Sequence, residues 1–298
     1  MSTPSTPAPT AIDTIAPPFP GIDDPAPDVT LVAVDGVRFT VHKNLLALIS
    51  PFFRQMFKLP QPTTDDTVAM SEDGTTIEAI LRMCYPGFEP PTFDSLAEVE
   101  KVLEVALVKF DLHPVSSRMS ALLAPFVDSA PLGSVAIAAR YGWTAMATAA
   151  AKQTLNIPLR TALSELPPEW RNAPPLAFHS LIQYHIECAQ VLQTLAAAPP
   201  VAKCSLTYEC PRCLKRFNGD INYSEPRRYR SILVELAATH RDTPLLQRSD
   251  ETSSLMTRTV CSDPECARAS ALVISHMVNK VWWPAVEAKI NEIQMKLN

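Results

Sequence analysis

The chain has 298 residues, 47% of them hydrophobic and 19% charged, with a net charge of −5. That length and apolar content allow one or two globular cores, and the acidic balance argues against a protein whose whole surface tracks a phosphate backbone. With 7 glycines against 29 prolines, there is little material for phosphate-cradling loops, and no Walker-type, dinucleotide-binding, nucleophile-elbow or zincin motif occurs.

Residues 1–27 are rich in Pro, Ser, Thr and Ala and lack periodicity, so they are expected to be disordered or locally polyproline-like. The first basic residue is Arg38 and no long apolar run precedes it, which reads as no secretory signal and no transit peptide. No apolar stretch reaches the roughly 18 residues of a membrane span. The expected location is the cytoplasm, the nucleus or both, with cysteines mostly reduced and paired ones read as metal ligands before disulfides. The sequon Asn222-Tyr223-Ser224 then reads as unused.

The stretch 28–57 is the most informative. Val29 to Val34 is β-branched and apolar, as expected of a strand inside a sheet. Asp35-Gly36 is a two-residue turn signal that tolerates positive φ at both positions. Val37, Phe39 and Val41 alternate with Arg38 and Thr40, giving a second strand with one buried face. Leu45, Leu46, Leu48 and Ile49 make a short helix. Ser50-Pro51 stops it and starts the next: the serine caps, and the proline fits a first turn where no backbone donor is needed. Phe53, Met56 and Phe57 give that helix an apolar face.

Downstream, residues 58–67 read as a loop, Val68–Met70 as a short strand, 75–84 as a helix, 86–95 as a loop and 96–111 as a helix with Leu96, Val99, Val102, Leu103, Ala106 and Phe110 on one side. Residues 115–157 are Ala-rich and helical, interrupted near Pro125 and Pro131. Five prolines make 158–175 a turn-rich connector. Residues 176–197 form an amphipathic helix, and Pro199-Pro200 marks a boundary. At the C-terminus Val286, Ile290, Ile293 and Leu297 recur at helical spacing, with Pro284 as a kink or start.

The order Asp28-Val29, Asp35-Gly36, Phe39, Val41-His42-Lys43, Leu46, Ser50, Phe53 and Met56-Phe57 resembles the start of a BTB/POZ domain. Ile77, Ile80, Leu81 and Met83 before Tyr85-Pro86, and then Val102 to Phe110, resemble its later helices. The resemblance covers roughly 28–115 and implies a protein-binding domain. It also implies a small charged pocket lined by Asp28 and Lys43, with Lys43 supplying charge without the bidentate fork of an Arg, and a packed structural role for His42. Phe53, Met56 and Phe57 are taken as the interaction surface. Ala138 to Trp143, and Leu181 to Cys188, resemble the tail of fungal BTB-domain proteins. The Pro-rich prefix is unsuited to the exchanged N-terminal strand of many BTB dimers, so a homodimer would use other surfaces. The family's cullin-binding signature, a hydrophobic residue, any residue and an acid beyond the second helix, is not matched by Phe57-Lys58-Leu59-Pro60-Gln61.

Cys210-Pro-Arg-Cys213 is a two-spaced pair and Cys261-Ser-Asp-Pro-Glu-Cys266 a four-spaced one. Four thiolates from Cys210, Cys213, Cys261 and Cys266 would close a tetrahedral structural zinc site, with Cys204, or His185 and Cys188 one helical turn apart, as substitutes. The same residues also read as small buried hydrophobes, and a redox pair lacks a thioredoxin context. Arg227-Arg228-Tyr229-Arg230 reads as a solvated basic face before it reads as a phosphate contact, and Trp282-Trp283 as core or interface before a stacking platform.

The fold class that follows is α+β: a BTB/POZ-like domain over 28–115 with a short sheet capped by helices, a helical extension over 116–198, and a Cys-containing, partly helical region over 199–298. The function that follows is a non-enzymatic protein–protein interaction module, as a scaffold or a ubiquitin-ligase substrate adaptor. Its partners are then other proteins, a cullin among them in the adaptor case, with no membrane and no nucleic acid. The alternative is a transcriptional or chromatin-associated regulator that uses the Cys-containing region, a reading against which the net acidity counts.

Overall fold

The structure is a computed structural model that describes residues 26–59, 66–164, 166–200, 203–210, 212, 216–220, 226–240 and 263–297. The chain divides into two units, residues 1–126 and 127–298.

In the first unit, β1 (Val29–Val32), β2 (Arg38–Val41) and β3 (Thr67–Ala69) form a sheet of order β2-β1-β3. β2 runs antiparallel to β1 and β3 parallel to it. A parallel pair needs a crossover, and α1 (Lys43–Ile49) with α2 (Pro51–Met56) supplies it. The β1–β2 loop departs from the expected turn. Only Gly36, not Asp35, has positive φ, at 86°. Ala33 N–H donates to Val37 O (2.8 Å) and Gly36 N–H to Ala33 O (2.9 Å), which makes a three-residue loop ending in a left-handed glycine. A tertiary contact accounts for this, because the Asp35 carboxylate accepts Gly74 N–H at 2.9 Å. Gly74 opens α3 (Gly74–Cys84), and a Cβ there would lie 2.7 Å from Val37 Cγ2. Glycine is therefore what lets the hairpin loop sit on the start of this helix.

Ser50 caps α2 by accepting Phe53 N–H (3.0 Å), and its own hydroxyl donates to Phe110 O (2.5 Å). Phe110 follows α4 (Leu96–Leu103), which runs on into a π-helical turn over Glu104–Lys109. Leu31, Phe39, Leu46, Phe53, Ile77, Leu81, Met83 and Leu103 fill the core. Beyond a 3-10 turn at His113–Val115, α5 (Ser116–Met119) brings Arg118 back to the end of α3. The Arg118 guanidinium donates to the carbonyls of Met83 (3.2 Å), Tyr85 (2.8 Å) and Phe88 (2.6 Å). Met83 and the C-cap Tyr85 are acceptors that the end of α3 leaves without intrahelical partners, and Phe88 lies in the loop just beyond. Arg118→Ala is expected to cost this unit about 2 kcal/mol, because charge-assisted bonds are lost and partly buried carbonyls are left for water. Arg118→Lys should recover less than half of that, since one ammonium cannot span three carbonyls. Denaturant-dependent labelling of Cys84, the one cysteine in residues 1–126, reads the change directly.

In the second unit the Ala-rich stretch breaks where the sequence reading expects continuity. α6 (Pro131–Arg140) and α7 (Thr144–Thr154) are separated by a Schellman turn. In that turn Trp143 N–H donates to Ala138 O (2.9 Å) and Gly142 N–H to Ala139 O (3.2 Å). The expected connector also contains α8 (Leu159–Ser164) and a 3-10 turn (Pro168–Asn172), because its prolines stand at helix starts. α9 (Pro175–Ala197) buries Leu181, Tyr184, His185, Cys188 and Leu192. β4 (Lys203–Glu209) pairs antiparallel with β5 (Arg216–Asp220), and α10 (Pro226–Thr239) packs on α9.

α11 (Pro264–Met277) leads through a π turn at Val278–Trp282 into α12 (Trp283–Asn291). The π turn sits ahead of Pro284, which has no N–H for the i→i−4 ladder. The C-terminal stripe does not run its expected length. Val286 and Ile290 are fully buried, but the helix ends at Asn291. The tail then carries Met295 into the core, with its N–H donating to Thr148 Oγ1 at 3.0 Å. Among the described residues no helix is long and apolar enough to cross a membrane.

Candidate functional site

The surfaces of the first unit are set by how its helices start and stop. His42 caps α1 without a side-chain bond. The orphan N–H of Lys43 is met instead from β1's entry, where Asp28 Oδ1 accepts it at 2.7 Å. The Lys43 ammonium reaches a third residue, Asp66, at 2.5 Å. Asp28 and Lys43 thus meet through the backbone amide, and the charged corner has three members. Asp66 lies 23 residues along the chain and carries no sequence signal of its own. Beside this corner His42 is buried. Its N–H donates to the Tyr85 hydroxyl (2.9 Å), and its Nδ1 shares a hydrogen bond with the same hydroxyl (3.1 Å). Burial pushes the Tyr85 phenol up to about 12, so it stays neutral.

The apolar helix face resolves into core and surface. Phe53 is 2% exposed and touches the rings of Phe52, Phe57 and Phe110 at centroid distances of 5.3, 5.9 and 5.0 Å. It is therefore a packing residue and not a contact residue, which corrects the sequence reading of this helix. Met56 and Phe57 are half-buried at its rim. The exposed apolar side chains are others: Val34 at 72%, Leu48 at 75%, Leu59 at 65% and Val108 at 56%. Sequence patterning singles out none of them. Leu48 belongs to the same apolar run as buried Leu46, and only packing decides which of the two faces out.

A cleft of about 800 Å³ opens between α3 and the segment leading into α4, walled by Pro90, Pro91 and Phe93. Its two bases are spent on acids, Arg82 on Glu78 (2.6 Å) and Lys101 on Asp73 (2.5 Å). Lys101 and the Thr76 amide hold the Asp73 carboxyl down to about 2. Glu89, Asp94 and Glu98 add further negative charge to the lining, so the cleft's field favours basic side chains.

The remaining expected site residues lie in the second unit. Cys210 follows β4 and is fully buried; Cys266 sits in the first turn of α11 and is 3% exposed. Cys213 and Cys261 lie outside the described residues, as does the Cys204 side chain. His185 is committed elsewhere: Thr154 donates to Ala151 O (2.6 Å) and so accepts from His185 Nε2 (2.8 Å). Burial pushes the Cys188 thiol up to about 12, with Tyr184 as its partner. In the basic run Tyr229 is buried and Arg230 exposed, while the side chains of Arg227 and Arg228 lie outside the described residues. Trp282 and Trp283 are core, their rings 4.8 Å apart.

Among curated proteins, none matches this chain. Residues 24–125 match the family model of the BTB/POZ domain. The match spans the three-stranded sheet, its crossover helices, α3, α4 and the Arg118 clasp. That part of the chain is a BTB/POZ domain, a protein–protein interaction module, and a mostly helical region follows it.

Proposed function

We propose that the chain is a non-enzymatic scaffold whose BTB/POZ domain recruits a protein partner through apolar side chains that its own core leaves outside. The observation that carries this reading is the BTB/POZ match over residues 24–125. The exposure of Leu48 and Val108, at 75% and 56%, supports the choice of surface, since large apolar anchors dominate binding energy where a partner covers them. An adaptor role in a ubiquitin ligase is the narrower form, with a cullin as the partner and the cytoplasm or nucleus as its place. Leu59 stands where the adaptor signature carries an acid, so a cullin is expected at background level.

The test compares affinity purification of the full chain with that of a Leu48→Glu/Val108→Glu variant. Surface substitutions of this kind shift stability by no more than about 0.5 kcal/mol each, so Cys84 labelling should be nearly unchanged while partner recovery falls at least about tenfold. Equal recovery by both proteins would remove this surface from the reading, and recovery of a stoichiometric cullin would replace the scaffold role with the adaptor role.

A further inference from the structure

We propose that the cleft beside α3 is a docking groove for an extended basic segment of a partner protein, one that carries Lys and Arg side chains between apolar ones. The first observation is unanswered charge. Asp73, Glu78, Glu89, Asp94 and Glu98 line the cleft against two cations, Arg82 and Lys101. Both cations are committed. Arg82 holds Glu78 through two nitrogens, at 2.9 and 2.6 Å, and Lys101 holds Asp73 at 2.5 Å. No cation among the described residues pairs with Glu89, Asp94 or Glu98, and all three are exposed. The cleft is therefore left with a surplus of negative charge that a partner's cations can meet.

The second observation is the wall made by the segment ahead of α4. Pro90 and Pro91 bring carbonyls and no N–H, and Phe93 adds a half-buried aromatic ring. Such a wall accepts hydrogen bonds more than it gives them, so its ligand supplies the donors, and an ammonium or guanidinium over the ring is attracted by its face. The segment is also held at both ends. Arg118 donates to Phe88 O (2.6 Å) at one end. At the other, Ser95 Oγ accepts Glu98 N–H (3.3 Å) and Asp94 N–H donates to Glu98 Oε2 (3.2 Å). A groove fixed in this way loses little freedom when it is filled.

The spread of the charge selects the occupant. Among the described residues no three His, Cys, Asp or Glu side chains form a group that could hold a metal ion, so the carboxylates suit cations spaced along a chain and not a point charge. The same field repels the phosphates of a nucleic acid. A volume of about 800 Å³ takes several side chains. Pro91 and Phe93 offer apolar surface to the residues between the cations, which a bare polyamine lacks. The groove shares no residue with the Leu48 and Val108 surface, so it is a second docking site on the BTB/POZ domain.

The test is fluorescence anisotropy of the full chain with a fluorescein-labelled peptide of about eight residues, long enough to lie extended in the groove, that alternates Lys and Arg with Leu and Pro. Saturable binding is expected at low salt, weakening as salt is added, and a peptide with Glu in place of the bases should not bind. Glu89→Gln/Asp94→Asn/Glu98→Gln should weaken binding about tenfold, the sum of three exposed ion pairs. Phe93→Ala should weaken it about threefold through the lost ring face. Cys84 labelling shows whether each variant is folded. The triple variant alters only exposed side chains, so it decides the question even if Phe93→Ala unfolds. The Leu48→Glu/Val108→Glu variant should bind the peptide like the unmutated chain, which separates this groove from the other surface. No saturation up to about 1 mM peptide, equal binding by the folded triple variant, or displacement by spermine at equal charge concentration overturns the proposal.

Discussion

Phe53→Ala should destabilise the BTB/POZ unit by about 4 kcal/mol, the usual cost of emptying a buried phenylalanine site. The ring is 2% exposed and lies among Phe52, Phe57 and Phe110. The cluster cannot easily collapse, because its frame is pinned from two sides. Ser50 caps α2 just ahead of Phe53, and the same hydroxyl holds the Phe110 carbonyl. Such a loss is a large share of the roughly 5–15 kcal/mol by which a domain is stable. Cys84 provides the measurement: burial pushes its thiol up to about 12, so it stays unreactive until the unit opens, and its labelling should occur at a much lower denaturant concentration in the variant. Leu48→Ala, on the exposed side of α1, should shift that midpoint by no more than about 0.5 kcal/mol. If Phe53→Ala left the labelling curve unchanged and abolished partner binding, Phe53 would be a docking anchor after all.

The second unit should lose about 3 kcal/mol of stability as pH falls from 6.5 to about 4. Burial pushes His185 down from 6.5 to about 4, and a depressed histidine favours the fold only in its neutral form. Its contribution is fully present above 6.5. Below that value the unfolded chain binds the proton first, and stability drops by about 1.4 kcal/mol per pH unit until the folded state titrates too. The geometry agrees, since Nε2 donates to Thr154 and the residue is 3% exposed. His185→Gln, which cannot titrate, should flatten this limb while costing some stability at pH 7. The readout is urea unfolding followed by tryptophan fluorescence across the pH range. A wild-type limb as flat as the variant's would show that His185 is solvated in the native state.

Several features were legible because they are local. Ser50-Pro51 behaves as a cap and first turn, the strands at 29–32 and 38–41 follow their apolar spacing, and the helices at 74–84, 96–103 and 175–197 fall where the periodicity places them. The failures share a cause. The Asp35-Gly36 loop took a different form because Asp35 is held by Gly74, 39 residues away. The C-terminal stripe stopped early because Met295 and Thr148, 147 residues apart, meet. The break at Gly142 was local and could have been found, since a glycine inside an alanine-rich helix is a stop signal.

By itself, then, the sequence determined the element types, the BTB/POZ order of residues and the cysteine spacings, because turns, caps and periodicities are properties of neighbouring residues. Only the tertiary structure decided that Phe53 faces inward while Leu48 faces out, that Lys43 is answered by Asp66 as well as Asp28, and that Arg118 closes the end of α3 from 30 to 35 residues downstream. The physical reason is the same in each case. Burial and long-range hydrogen bonds depend on which surfaces meet, and a chain's local preferences allow more than one such meeting until the whole core is packed.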